Sequence, residues 1–499
     1  MNARPPAARG ASRPSALASR QVYDVVVLGS RFGGVLAGAL LAKRGHRVLQ
    51  IATDGWFGRY VDGGLRLPFA PSFSPPVKAT PAFHAALEEL GLLTDVGRTI
   101  EPYPEGLQVL LPRARLQLFR EEPARTDELK REFGEAAPAL VDAFAGLEAL
   151  EERSWGVVSR RPLPADGVFE GWAVSRVARE AGDLLAGPLP FGEGHPLGAA
   201  LLQLRDFASF LDGPQSPLAF ARTVAPLLRA PHRYPGGKEE LVAQLRASIR
   251  SHGGDVLGDT GQPVTVEELL VDGGRFAGVK VAGAPTPYRA RACIATDAAA
   301  VAALVPESRR SRKLAALAET VRPSRALLAV NLVLAEDGVP SGLADLALAV
   351  ATGKNPSPLL LQVDPAQNDH GPVAGLWTVT VAAPFPAASL ADRAGIERAV
   401  ASLRVAVEEY LPFHERHLKA ISVPALAAGG GVCPPHRLVE NGRPGRLGIE
   451  GLPPMAPIRR LLFAGPEVLP GLGFEGEVLT GVRAAELTGE VCRKVDPLL

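Results

Sequence analysis

Residues 23–45 read YDVVVLGSRFGGVLAGALLAKRG, and the reading of this stretch decides the fold. Val25 to Leu28 is a short, continuous apolar run, which suits a strand buried on both faces. It leads straight into Gly29-Ser30-Arg31-Phe32-Gly33-Gly34. Good helix formers follow (Val35, Leu36, Ala39, Leu40, Leu41, Ala42), Gly45 closes them, and His46 to Ile51 reads as a second strand. Strand, glycine-rich turn, helix and strand within roughly 30 residues make a βαβ unit, the mononucleotide-binding half of a Rossmann sheet. Its helix N-terminus offers free N–H groups and a positive dipole end to a pyrophosphate.

The fingerprint for such a site is G-x-G-x-x-G, and this chain has Gly29, then Arg31, then Gly34. The middle glycine normally lets backbone approach the pyrophosphate closely, whereas Arg31 brings a long side chain there. An acidic residue is expected at the end of the second strand to bind a ribose hydroxyl. Ala52 stands at that place, with Asp54 two residues on.

The chain has 499 residues, too many for one ordinary core, so two interleaved domains are expected. Its 54 basic and 53 acidic residues give a net charge of +1, which offers nothing to a nucleic-acid partner. Cys293, Cys433 and Cys492 are far apart and form no CxxC, which fits a reducing compartment and no structural zinc. No apolar run approaches the roughly 18 residues a membrane span needs. Residues 1–21 are rich in Arg, Ala, Pro and Ser without an acidic residue, like a transit peptide. Their prolines disfavour the amphipathic helix such a peptide uses, so a disordered leader is expected.

Further along, Thr80-Pro81 opens a helix that Gly91 closes. Leu129, Phe133, Leu140, Phe144 and Leu147 keep helical spacing from about 126 to 152, and Pro138 should kink or split that element. The stretch 86–231 thus reads as a mostly helical insertion. Tyr234-Pro235-Gly236-Gly237 then turns into a helix carrying Leu241, Leu245 and Ile249, ended by Gly253-Gly254. Val264 to Val271 and Phe276 to Val281, joined by Asp272-Gly273-Gly274, read as a hairpin. Ala292 to Ala295 and Leu376 to Ala383 read as strands, while Ile396, Val400, Leu403 and Val407 line a helical face. Finally Arg460 to Ala464 is a strand, a turn runs from Gly465 to Gly476, and a closing helix reaches about Lys494.

These pieces, in this order, resemble the phytoene desaturase-like FAD oxidoreductases, which include carotenoid desaturases, carotenoid isomerases and retinol saturases. The resemblance spans about Val22 to Val491. It rests on the βαβ unit, on Gly58-Arg59 where the family has Gly-Gly-Arg, on Tyr234 to Gly237 with the helix, Gly253-Gly254 and hairpin, and on Pro470-Gly471-x-Gly473. It implies an α/β fold with a discontinuous Rossmann-like FAD/NAD(P)-binding domain (22–85, 232–300 and 440–495). An inserted α+β substrate domain (86–231 and 301–439) would complete it. It also implies a long apolar polyene or isoprenoid substrate, desaturated or isomerised by the flavin. Arg31, Ala52 and Phe57, which stands at the first glycine of Gly-Gly-Arg, all depart from the pattern around one half of the cofactor. Gly465-Pro466, where many related flavoproteins have Gly-Asp, is a nearly neutral change.

The resemblance makes Gly29, Ser30, Arg31, Phe32, Gly33, Gly34, Arg59, Val264, Val266, Gly465, Glu467, Gly473 and Phe474 the candidate cofactor-binding residues. Each has a plainer reading. The glycines serve as well for tight turns and close packing, Arg59 for a surface cation, Val264 and Val266 for ordinary strand residues, and Phe474 for core. Arg31 either pairs with a phosphate or fills the space and keeps FAD out. Phe207, Phe210, Leu211, Leu218 and Phe220 form either a lipid-facing tunnel mouth or core. His414 and His417 have metal-like spacing, but their charged surroundings read as a solvated face. No catalytic residue is named, since a flavin does the hard chemistry itself. Two functions follow from this reading. One is an FAD-dependent oxidoreductase in the cytoplasm, with peripheral contact to the inner face of a membrane as an option. The other is a non-catalytic homologue that lost FAD and serves as a binding or scaffold protein. A site for a different nucleotide is a weaker third, because Ala52 removes the ribose anchor there too.

Overall fold

The computed structural model describes residues 22–53, 58–187, 189, 191, 195–213, 216–235, 237–258, 263–350, 357–427, 436–440 and 445–492. The leader, Asp54, Phe57, Gly236, Cys433 and Lys494 lie outside the described residues.

The opening run forms strand β1 (Val22–Leu28), with Val25, Val26 and Val27 wholly buried. It pairs in parallel with β2 (Val48–Ile51) on one side and with the strand Tyr288–Ala295 on the other. Asp255–Leu257 extends the sheet beyond β2, and Leu461–Phe463 pairs in parallel beyond Tyr288–Ala295. Five parallel strands thus come from three separate stretches of chain. Strands covered on both faces need continuous apolar sequence, as Val25–Leu28 and Ala292–Ala295 have. The expected hairpin spans Val266–Asp272 and Arg275–Val281, with Gly273 and Gly274 at φ 54° and 73°, the positive angles that a two-residue primed turn requires. It joins the sheet antiparallel, through Gly278 opposite Arg289 and Val279 opposite Tyr288.

Helix α1 (Phe32–Lys43) is buried from Phe32 through Ala42, so it is apolar all round rather than striped. It lies between the closing helix Gly473–Cys492 and the helix Lys238–Ser251. Where α1 meets the closing helix the backbones nearly touch, and a Cβ on Gly481 would sit 2.5 Å from the Gly33 carbonyl oxygen.

Among the described residues, a second, largely antiparallel sheet has nine strands and is built around Pro323–Ala335, Leu359–Asn368 and Gly371–Pro386. Along its first long strand, Ala326, Leu328, Val330, Leu332 and Leu334 face the helix Arg393–Glu408, the two-residue period of a strand. Leu327 and Ala329 face the helical insertion instead.

The insertion departs from expectation in one respect. Leu107–Leu111 and Ala114–Leu118 form a hairpin at the edge of this second sheet, because their apolar residues alternate about a turn at Pro112-Arg113. The expected helix at 126–152 is two, Glu122–Phe133 and Ala137–Val158. Pro138 sits in the first turn of the second, where its missing N–H is harmless. Gly91 ends its helix at φ 74°, while the Thr80 hydroxyl makes no capping bond. His414 corrects the solvated-face reading, being 1% exposed with Nδ1 2.6 Å from the Leu411 carbonyl oxygen.

Candidate functional site

The glycines of the first turn converge on one residue. Gly29 has φ 110°, a conformation only glycine adopts easily, and a Cβ there would run into Thr296 Oγ1. A Cβ on Gly34 would run into Thr296 Cγ2, and one on Gly465 into the Thr296 carbonyl oxygen. Thr296 follows the strand Tyr288–Ala295 and donates its N–H to the Leu28 carbonyl at 3.0 Å. The plainer reading therefore accounts for these three glycines: they let two strand ends and α1 close around a threonine. Gly473 likewise lies at φ 53°, tight against the Ala208 carbonyl. Gln50, wholly buried, fixes the loop by donating to the Gly29 carbonyl at 3.0 Å. Ser30 is buried too, with Arg246 Nη2 3.5 Å from its hydroxyl.

Arg31 caps α1 in an extended conformation (φ −64°, ψ 147°) that any residue can adopt, so the backbone here does not ask for glycine. Its side chain borders three cavities at once. The first, about 390 Å³, lies across the ends of the parallel strands, walled by Gly29, Thr53, Val264, Val266 and Asp297. That volume falls within the roughly 300–1,000 Å³ of small-ligand pockets. The second is a small space between Arg31, Arg437, Asp297, Pro466 and Glu467. The third lies between the parallel sheet and the largely antiparallel sheet. Phe32, Phe69, Phe73, Phe207, Leu360 and Phe474 make it largely apolar. Arg31 is the residue that all three share.

Charged groups gather around it. Burial and the charge of Asp297 push the Glu467 carboxyl up to about 8, against the pull of the Ala298 N–H, Arg437 and Arg31. Glu467 accepts that N–H at 2.9 Å. Burial pushes the Lys238 ammonium down, and Glu477 pulls it back up. Burial likewise pushes His436 down to about 3, so its ring is neutral and Nε2 donates to the Ser209 carbonyl at 2.8 Å. Also on the wall of the apolar cavity, Asp364 is pushed up by burial against its bond from Gln362 and the charges of Arg233 and Arg59.

The expected site residues therefore divide. Arg31, Phe32, Arg59, Val264, Val266, Glu467 and Phe474 border the cavities, whereas Gly33, Gly34, Gly465 and Gly473 serve close packing. Arg59 bonds to Gln367 and, at 2.7 Å, to the Pro235 carbonyl, at the apolar cavity rather than at the strand ends. Phe207 and Phe210 line that cavity, while Leu211, Leu218 and Phe220 are core. Sequence reasoning missed Lys238, His436, Arg437 and Glu477, and also the wall from Pro68 to Pro75. The wall's one signal is its density of proline and phenylalanine. The four side chains stand singly in the sequence and carry none.

No model of a known protein family matches the chain, and no curated protein matches it. Among solved structures, its fold is like that of several oxidoreductases. An oxidoreductase from Methanosarcina mazei is 16% identical with a TM-score of 0.59, over 93% of this chain and 100% of that one. A putrescine oxidase variant is 14% identical with a TM-score of 0.61, over 94% and 99%. Cyclohexylamine oxidase from Brevibacterium oxydans is 16% identical with a TM-score of 0.54, over 94% and 99%. At these identities the likeness is one of fold. Among the described residues, no helix is long and apolar enough to cross a membrane.

Proposed function

We propose that the chain is an FAD-dependent oxidoreductase acting on a long apolar molecule of the polyene or isoprenoid kind. In this reading the parallel sheet is a discontinuous Rossmann-like dinucleotide domain, and the antiparallel sheet with its helices is an inserted substrate domain. One observation carries it: a cavity at the strand ends and an apolar cavity between the sheets meet at Arg31, beside Arg437, Asp297 and Glu467. Arg31 and Arg437 border the small central space together with Asp297 and Glu467, and Arg437 Nη1 lies 3.5 Å from Asp297 Oδ2, so an anion bound there would share Arg437 with that carboxylate. Arg31 and Arg437 would hold a diphosphate, and Val264 and Val266 would flank the nucleoside. When bound, a flavin supplies the two-electron acceptor. The chain's own part is to orient an apolar substrate against Phe69, Phe73 and Phe207 and to keep water out. Neutral His436 and the Asp364 carboxyl are among the polar groups that would position it.

Membrane contact belongs to the same proposal. Val168, Phe169 and Trp172 stand exposed together on the helix Gly167–Glu180, with Arg176 and Arg179 on the same helix. Loss of sedimentation with anionic vesicles on Phe169→Ser tests it, and unchanged sedimentation removes it.

A non-catalytic binding protein on the same fold is favoured by a different observation. At Ala52, the N–H bonds to Leu257 and the carbonyl accepts from Val264, at 2.8 and 2.7 Å, and the residue itself has no carboxylate to offer a ribose. The visible spectrum of the purified chain, with and without added FAD, separates the two. Bands near ~370 and ~450 nm that dithionite bleaches favour the flavoenzyme. A spectrum still flat after FAD addition and desalting favours the binding protein.

A further inference from the structure

An amine attacks a carbonyl carbon only in its uncharged form, so a lysine becomes a nucleophile where its surroundings disfavour the ammonium. Two features of position do so at Lys238. It is the first residue of the helix Lys238–Ser251, whose N-cap is Gly237, so its cation lies at the positive end of the helix dipole. It also borders the apolar cavity, and among the described residues it is the only lysine on that wall. Its neighbour on the helix, Glu239, lies 3.9 Å from Arg66. Burial pushes the Lys238 ammonium down, with the charge of Glu477 opposing. Glu477 stands on the same wall and is 8% exposed, and its Oε1 has no hydrogen-bond partner among the described residues. Burial pushes its carboxyl up against the charges of Arg31 and Lys238, so it keeps a proton more readily than an ordinary glutamate. Phe69, Phe73, Phe207 and Leu360 give the same cavity the surface to hold an apolar chain.

We propose that Lys238 captures an apolar aldehyde or ketone in this cavity as an imine, with Glu477 as the proton donor. This rests on reading the cavity as the seat of an apolar substrate, and it adds a carbonyl end to that molecule. The Lys238 nitrogen bonds to the carbonyl carbon, and the carbonyl electron pair moves to oxygen. The Glu477 carboxyl protonates that oxygen, the C–O bond breaks, and Glu477 recovers its proton from nitrogen. The two protons of the amine and the carbonyl oxygen leave as one water, and no oxidant or reductant is consumed. The bond to nitrogen fixes one end of the molecule while the aromatic side chains of the wall hold its chain.

The test is trapping with citral, an isoprenoid aldehyde, on the full chain at pH 7.5. Sodium cyanoborohydride reduces any imine to a stable secondary amine, and peptide mass spectrometry places it. Exposed Lys280, paired with Glu267 at 2.7 Å, is the internal control. Lys238 is expected to take the label about ten-fold or more faster than Lys280, since each unit by which a pKa falls raises the free amine about ten-fold. Lys238→Arg should remove the fast label, and Glu477→Gln should slow it about ten-fold or more. Mapping the label in the parent needs no variant, so it decides the matter even where a variant does not fold. A label at Lys238 no faster than at Lys280 overturns the proposal, and an unchanged rate in Glu477→Gln overturns the assignment of the proton donor. Geraniol, with an alcohol in place of the aldehyde, separates this inference from the reading beneath it. Its binding by calorimetry without a citral label at Lys238 keeps the apolar cavity and strikes the imine, whereas neither binding nor label strikes both.

Discussion

The Glu475 carboxylate clasps the Arg222 guanidinium with two hydrogen bonds, one from Nε at 2.7 Å, and the two side chains are 2% and 3% exposed. Arg222 also donates to the Ala79 carbonyl at 3.0 Å and lies 5.3 Å from the centre of the Trp155 ring. The pair ties the helix Pro217–Thr223 of the insertion to the first turn of the closing helix, beside the apolar cavity.

Removing one partner leaves an uncompensated charge in a place water does not reach. Glu475→Ala is therefore expected to lower the free energy of unfolding by about 3–5 kcal/mol. Replacing both residues with apolar ones of similar volume should cost far less, because no buried charge remains. Denaturant unfolding of the single and double variants checks this. A double variant no more stable than Glu475→Ala would show that the pair holds the helices together by more than mutual neutralisation.

Gly34 and Thr296 make the packing account of the fingerprint testable. Gly34→Ala places a methyl against Thr296 Cγ2, and overpacking of this kind costs about 1–3 kcal/mol. Thr296→Ser removes that methyl, so the double variant should recover most of the loss. A coupling energy near zero in the double-mutant cycle would mean that α1 shifts as a body instead.

The parts of the fold legible from sequence were those with a local signature. Val25–Leu28 had the continuous run of a doubly covered strand, and Gly273-Gly274 the two positive φ angles of a primed hairpin turn. The strand pair Leu107–Leu111 and Ala114–Leu118 was hidden in a helical stretch because each strand is five residues long. The site was harder to see. Glycines in a fingerprint look the same whether they admit a phosphate or a threonine, and only the position of Thr296 tells them apart. Arg437 and Glu477 meet Arg31 from distant parts of the chain, a meeting that depends on topology rather than on spacing. An acid in the first turns of a helix also has a ready local explanation, since it favours the helix dipole.

Glu467 gives a prediction in pH. Its carboxyl titrates at about 8 in the folded chain, raised from an ordinary value of 4.5, chiefly by burial and then by Asp297. The folded state therefore holds a proton that the unfolded state gives up at lower pH. The sign follows from linkage: this group's contribution to stability is fully present below pH 4.5, declines as pH rises, and is lost once pH passes about 8. Glu467→Gln cannot ionise and should flatten that part of the profile. Between pH 5 and pH 8.5 the parent is expected to lose on the order of 4 kcal/mol more than the variant. Denaturant unfolding of both proteins across this range measures the difference. Parallel profiles would mean that Arg31 and Arg437 keep the carboxylate charged at neutral pH, and the central space would then carry one more negative charge than its burial implies.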